Sequence, residues 1–209
     1  MKAMSRRTGS VFVAFFARTD APGDPDNQKG RISMRNSASV RRLTISALML
    51  AVGMLLPFLT AQVQLIGNML SPMHFPVFIC GLLCGPLWGL AVGAILPILR
   101  SFLFGMPPLM PTAAAMMFEL AAYGLFSGLL RAKLPKTMPM LYAALGISMV
   151  LGRVVWGCAS FFLYGFVART FTWELFLTNG FVNAIPGIIL QLIIIPPIVR
   201  ALEKSHLAD

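Results

Sequence analysis

The feature that most constrains this chain is a series of long apolar runs that fills residues 43–202. Each run is close to the roughly 20 residues that an α-helix needs to cross the hydrocarbon core of a bilayer. Only 11% of the residues are charged, whereas a soluble domain carries about 25%. The short alternating strands of a membrane barrel are not seen in these runs. The sequence therefore predicts an all-α, polytopic membrane protein.

The number of helices depends on the apolar segment 73–104. A single helix over this segment would be about 48 Å long, which exceeds a hydrocarbon core of about 30 Å. Gly85-Pro86 offers a break, because proline is favoured in the first turn of a new helix. With that break, the sequence predicts a bundle of six transmembrane helices. They lie at about 43–60, 73–85, 86–104, 112–130, 138–166 and 179–202.

The distribution of basic residues supports six spans over five. Lys and Arg concentrate in cytoplasmic loops, and only six spans bring all the flanking basic residues to one side. With five spans, the loop 131–136 would lie opposite to Arg41 and Arg42. We therefore expect both termini to be cytoplasmic, and we expect no nucleic-acid partner despite the net charge of +10. The flanking basic residues that six spans bring to the cytoplasmic side are Arg41, Arg42, Arg131, Lys133, Lys136, Arg200 and Lys204.

The first residues differ in composition from the rest. Residues 1–42 are predicted to be a flexible basic N-terminal leader, and residues 43–204 a six-helix membrane domain. The stretch 20–27 is rich in Asp, Pro and Gly, which is typical of a disordered segment. Met34 is followed by a short basic sequence that would suit a cytoplasmic start. One hypothesis is that synthesis begins at Met34 and that the preceding residues are not part of the native protein.

Polar side chains within the predicted spans gather towards the outer ends of the helices. A charge inside an apolar membrane segment is costly and generally faces a partner, a cavity or a ligand. The pattern predicts a capture site that opens to the outside over an apolar inner half, rather than an open pore. The predicted substrate-binding residues are Asn68, His74, Arg100, Glu119, Tyr123, Arg153, Trp156 and Asn183.

Several of these residues have a second interpretation. Glu119 and Arg153 can form a purely structural ion pair between two helices. His74 can cap the start of a helix. Arg100 can extend to the outer surface and need no partner. The sequence leaves these alternatives open.

The sequence predicts no cofactor and no metal site. Cys80 and Cys84 lie four residues apart, but no His or carboxylate accompanies them, so we interpret them as small core residues. The chain has no P-loop, so it cannot use ATP by itself. Two other functional classes stay open: an intramembrane enzyme using Glu119 and His74, and an ion-coupled secondary transporter, although no inverted repeat supports the latter.

Small residues recur at four-residue spacing in two places. Gly81, Gly85, Gly89 and Gly93 form a ladder, and the first helix carries Ala47-x-x-x-Ala51. Such stripes allow another helix to approach closely. For the alanine stripe, spacing alone does not distinguish internal packing from docking to another membrane subunit.

Five motifs follow one another along the chain: Ala-x-x-x-Ala in the first helix, Met-His-x-Pro, the glycine ladder, Gly-Met-Pro-Pro-Leu-x-Pro and Glu-Leu-Ala-x-Tyr-Gly. Taken in order, they resemble the substrate-binding (S) components of energy-coupling factor (ECF) transporters. The resemblance covers residues 43–202. It implies a non-enzymatic subunit of the prokaryotic plasma membrane that captures a small vitamin. It also implies partners: a membrane coupling subunit and two ATPase subunits. By the same resemblance Ala47 and Ala51 form the docking surface, and loops 62–73, 105–111 and 167–178 gate the site.

Charge gives an expectation about the ligand. Glu119 can neutralise only one of Arg100 and Arg153, which leaves one cation in a site with little water. A carboxylate or phosphate on the ligand is the natural partner of an arginine. This favours an anionic micronutrient such as pantothenate over cationic thiamine, while riboflavin and cobalamin stay open through aromatic and amide contacts.

Overall fold

The structure, a computed structural model, describes residues 25–59, 71–167 and 184–205. Within these ranges every regular element is helical, which confirms the all-α prediction. A short π-helical turn, Leu109–Ala113, precedes the fourth helix. The helices are α1 (Pro25–Leu59), α2 (His74–Cys84), α3 (Pro86–Phe104), α4 (Ala114–Lys133), α5 (Met138–Val167) and α6 (Ile185–Lys204).

The described residues divide into two units, the first holding residues 25–40 and the second the described residues from 41 onwards. The described part of the first unit is helical from Pro25 onwards, and the helical bundle belongs to the second. The helix thus begins well before Leu43, within residues that composition assigns to a flexible leader. Polar residues such as Gln, Lys, Arg and Asn carry only small helix penalties, so a helix can extend through them without an apolar face.

Five segments have the length and hydropathy of a membrane span. They are Ser39–Phe58, Pro86–Phe104, Leu109–Lys133, Met138–Gly165 and Ile185–Lys204. Helix α2 has only 11 residues, so it covers about 16 Å, or roughly half of the hydrocarbon core. The polytopic all-α membrane architecture is therefore confirmed, but the second helix is shorter than a full span over the described residues.

The predicted break between α2 and α3 is present at Gly85. Gly85 has φ 99° and ψ 176°, a conformation that only glycine adopts without strain. Pro86 then opens α3. A Cβ built on Gly89 would come within 2.6 Å of the Gly81 Cα, although residues eight apart in one helix are about 12 Å apart. The chain therefore reverses direction at Gly85.

Contacts with α1 show that helix direction alternates. Ser46 Oγ lies 3.4 Å from Cys80 Sγ, and Gly53, further along α1, packs against Pro76. Helix α1 is therefore antiparallel to α2. Since α2 and α3 form a hairpin, α3 runs in the same direction as α1.

Helices α2, α3 and α4 approach to backbone contact through glycines. A Cβ on Gly89 would lie 2.6 Å from the Gly124 carbonyl oxygen, and one on Gly81 would lie 2.5 Å from the same atom. A Cβ on Gly128 would lie 2.5 Å from the Pro86 nitrogen. Helix α4 therefore fills the groove that the glycine ladder provides, and its own Gly124 and Gly128 complete the contact.

Basic residues meet at one end of the bundle. Arg131 at the end of α4 donates to Glu203 at the end of α6, and Arg200 Nη1 lies 3.5 Å from the Lys136 carbonyl oxygen. This arrangement agrees with the expected one-sided distribution of charge. Following the positive-inside rule, we call it the cytoplasmic end and the opposite end the outer end.

Candidate functional site

Glu119 of α4 is the centre of a buried polar cluster formed by three helices. Its side chain is only 3% exposed. Arg153 Nη1 of α5 lies 2.9 Å from Glu119 Oε1, and the Tyr123 hydroxyl donates to the same oxygen at 2.8 Å. His74 Nε2 of α2 lies 3.6 Å away. The structure thus brings together four of the predicted site residues, which we call the Glu119 cluster.

The local sequence explains how Tyr123 enters the cluster. Glu119 and Tyr123 are four residues apart on α4, so they share one face of the helix. Gly152 of α5 leaves room for the tyrosine ring, because a Cβ there would collide with the ring carbons. The ring centroid lies 5.2 Å from that of His74 and 4.8 Å from that of Phe78. Sequence reasoning did not select Phe78, whose aromatic character looks like ordinary core.

Two buried nitrogen atoms of the Glu119 cluster have no hydrogen-bond partner among the described residues. They are Arg153 Nε and His74 Nε2, both fully buried. The other ring nitrogen, His74 Nδ1, lies 3.1 Å from the Ser71 carbonyl oxygen. A carbonyl only accepts, so Nδ1 carries a proton, and Nε2 is left to face Glu119 or a ligand. Buried polar atoms normally find partners, so these two atoms mark where a ligand or water would bond.

Arg100 lies outside the Glu119 cluster. Its Nη1 donates to the Met54 carbonyl oxygen of α1 at 3.0 Å. Its guanidinium carbon lies 5.4 Å from the Phe58 ring centroid and 5.6 Å from that of Phe104, within the range of cation–π attraction. Arg100 is only 6% exposed. It therefore does not extend into water, as one interpretation of the sequence allowed. It carries its charge at the seam between α1 and α3.

The other predicted site residues are less closely defined. Trp156 is half-buried on α5, one turn beyond Arg153. Asn68 and Asn183 lie outside the described residues. Most of loop 62–73 also lies outside them, as does loop 167–178 after Val167, and of Val167 only the backbone is described. The loop 105–111 is described, and Met106, Leu109 and Met110 are exposed in it.

The alanine stripe of α1 lies on an exposed helix face. Ala47 and Ala51 are both exposed, and Leu48 and Leu55 are exposed beside them. Only 17% of the membrane-length window of this helix is buried. Internal packing within the described bundle therefore does not account for the stripe.

Comparison with known proteins gives one match. The family model described as "ECF transporter, substrate-specific component" matches residues 41–199. This range begins in α1, where the second compact unit begins, and ends near the close of α6. No curated protein and no solved structure matches the chain.

Proposed function

Because this chain belongs to the family of ECF transporter substrate-specific components, we propose that it captures a small vitamin or related micronutrient for ATP-driven import. Membership makes it a substrate-binding subunit in the prokaryotic cell membrane that associates with the membrane and ATPase subunits of an ECF module. The finer points, namely the ligand, its contacts and the docking surface, are our proposal.

The observation that carries the proposal is the Glu119 cluster. It holds a carboxylate, a guanidinium, a phenol and an imidazole within a largely apolar bundle. Burying the two charges costs several kcal/mol each, by rough estimate, and their pairing offsets that cost only with good geometry and further hydrogen bonds. The unpartnered atoms of Arg153 and His74 are the positions at which a ligand would complete the cluster.

Charge supports an anionic ligand, with pantothenate as the first candidate. Arg153 is neutralised by Glu119 at 2.9 Å. Arg100 has a carbonyl oxygen and two aromatic rings around it, and none of these carries a compensating charge. A ligand carboxylate near the outer end of α3 would supply it, since arginine binds carboxylates through two parallel donors.

We expect Arg100→Gln to weaken the binding of pantothenate about tenfold, because one charge-assisted hydrogen bond is lost. Arg153→Gln should weaken binding as well, but it also removes the partner of Glu119. Titration calorimetry on the purified protein measures both, with Lys133→Gln at the cytoplasmic end as the matched loss of one charge. Tight binding of thiamine, or unchanged affinity for the native ligand in both arginine variants, would show that Arg100 and Arg153 do not bind an anionic group of the ligand.

For docking, we propose that Ala47 and Ala51 contact the membrane coupling subunit. Their exposure on a peripheral helix leaves the stripe available, and small residues allow two helix backbones to approach closely. A leucine at either position would fill the space that the partner helix needs.

The variant Ala47→Leu/Ala51→Leu should lose co-purification with the module and ATP-driven uptake in proteoliposomes, while ligand affinity stays within about twofold of the parent, because the stripe lies on the exposed face of α1 rather than in the Glu119 cluster. Ala143→Leu is the matched control, because Ala143 is an exposed alanine on α5. An intact complex in the double variant would refute the docking surface. Uptake that runs on an ion gradient without ATPase subunits would refute the proposed function itself.

A further inference from the structure

A polar cavity lies at the cytoplasmic end, away from the Glu119 cluster. It has a volume of about 270 Å³ and lies where α4 and α6 end, beside the C-terminal turn of α2. Its polar lining comes from four basic residues and one carboxylate: Arg131, Lys136, Arg200, Lys204 and Glu203.

Glu203 is shared between two arginines. It accepts from Arg131 Nε at 3.1 Å and also from Arg131 Nη2, and its second oxygen lies 3.6 Å from Arg200 Nη1. Lys136 and Lys204 form no ion pair with any side chain that the structure describes. The cavity is therefore strongly positive, and its single carboxylate is already held by arginines.

Arg131 provides a separate observation that points to a missing acceptor. The residue is only 7% exposed, and its Nη1 is buried without a hydrogen-bond partner. A buried donor without an acceptor is unfavourable and uncommon in native proteins. The cavity lies directly beside this guanidinium.

We propose that this cavity binds a phosphate group, with Arg131 Nη1, Lys136, Arg200 and Lys204 as its donors. Arginine and lysine are the usual ligands of phosphate oxygens. The phosphate can belong to a soluble phosphate of the cytoplasm or to the headgroup of an anionic phospholipid, since basic pockets at cytoplasmic helix ends bind such headgroups. The inference does not depend on the identity of the transported vitamin.

The test measures the unfolding midpoint of the full chain in nanodiscs. In the first arm, discs of phosphatidylcholine receive inorganic phosphate, with sodium chloride at the same ionic strength as the reference. In the second arm, part of the phosphatidylcholine is replaced by phosphatidylglycerol and no phosphate is added. A ligand at ten times its dissociation constant should raise the midpoint by about 4 °C.

The variant Lys136→Gln/Arg200→Gln should abolish this rise, because it removes two of the four proposed donors. Lys136 is exposed and the Arg200 side chain is 43% exposed, so their loss costs little stability. Lys133→Gln is the matched control: Lys133 is exposed at the same end but does not line the cavity. A rise in the phosphate arm assigns a soluble phosphate, and a rise only with phosphatidylglycerol assigns the headgroup. No rise in either arm, or an equal loss in the control variant, overturns the proposal.

Discussion

Replacing Glu119 with glutamine should destabilise the protein by about 3–5 kcal/mol, because it leaves the Arg153 guanidinium buried without a counter-ion. Arg153 Nη1 lies 2.9 Å from the Glu119 carboxylate, and both side chains are buried. The unfolding midpoint of the purified protein should fall by roughly 10 °C.

Two further variants show where the effect originates. Tyr123→Phe removes only one hydrogen bond to Glu119 and should cost about 1 kcal/mol. Glu119→Gln/Arg153→Met removes both charges and should recover most of the lost stability. If the single Glu119 variant were within about 1 kcal/mol of the parent, or if the double variant were less stable than the single one, charge neutralisation would not be the function of the carboxylate.

The double variant also decides between the two interpretations of this ion pair. If a folded Glu119→Gln/Arg153→Met protein binds its ligand as tightly as the parent, the pair is structural. If it folds but loses the ligand, the pair belongs to the binding site. Stability and affinity are therefore to be measured on the same preparation.

Gly124→Ala should cost about 3 kcal/mol, at the upper end of overpacking effects. A Cβ at Gly124 would overlap the carbonyl group of Gly89. A backbone carbonyl cannot relieve this overlap by changing rotamer, as a side chain can. Helices α3 and α4 would have to separate, and the contact of Gly81 with α4 would loosen as well. Thermal unfolding in detergent measures the loss.

Gly146→Ala on α5 is the matched control for this prediction. A Cβ at Gly146 would meet nothing within 4 Å, and alanine favours helix over glycine by about 1 kcal/mol. This variant should be as stable as the parent or slightly more stable. Equal behaviour of the two alanine variants would show that the α3–α4 contact is not tight.

The Gly85 break could be predicted from the sequence, and the partner of Glu119 could be narrowed to two arginines, for different reasons. A helix over residues 73–104 is too long for a bilayer, and Gly-Pro marks where a new helix begins. A carboxylate inside an apolar helix needs a cation, and Arg100 and Arg153 are the two arginines that the sequence analysis places in the outer halves of the predicted spans. An over-long helix and an unpaired carboxylate are both strongly unfavourable in a bilayer, so few arrangements of the chain avoid them.

The position of Arg100 could not be predicted in the same way. Its acceptor is the Met54 carbonyl oxygen and its other neighbours are phenylalanine rings, and neither has a charge that a sequence pattern reveals. The pairing of Arg131 with Glu203 was also missed, because both residues lie in basic, polar helix ends that look like solvated termini. The early start of α1 at Pro25 was missed because hydropathy reports burial in lipid rather than the continuity of backbone hydrogen bonds.

The glycine contacts among α2, α3 and α4 have a mechanical consequence. Where backbone touches backbone, no flexible side chain lies between the helices to take up a displacement, and packed interiors are only slightly compressible. These three helices should therefore move as one stiff body. A force applied through α1 would tilt or shift that body as a whole, and any rearrangement that opens the proposed substrate site would have to come from α5, α6 or the connecting segments.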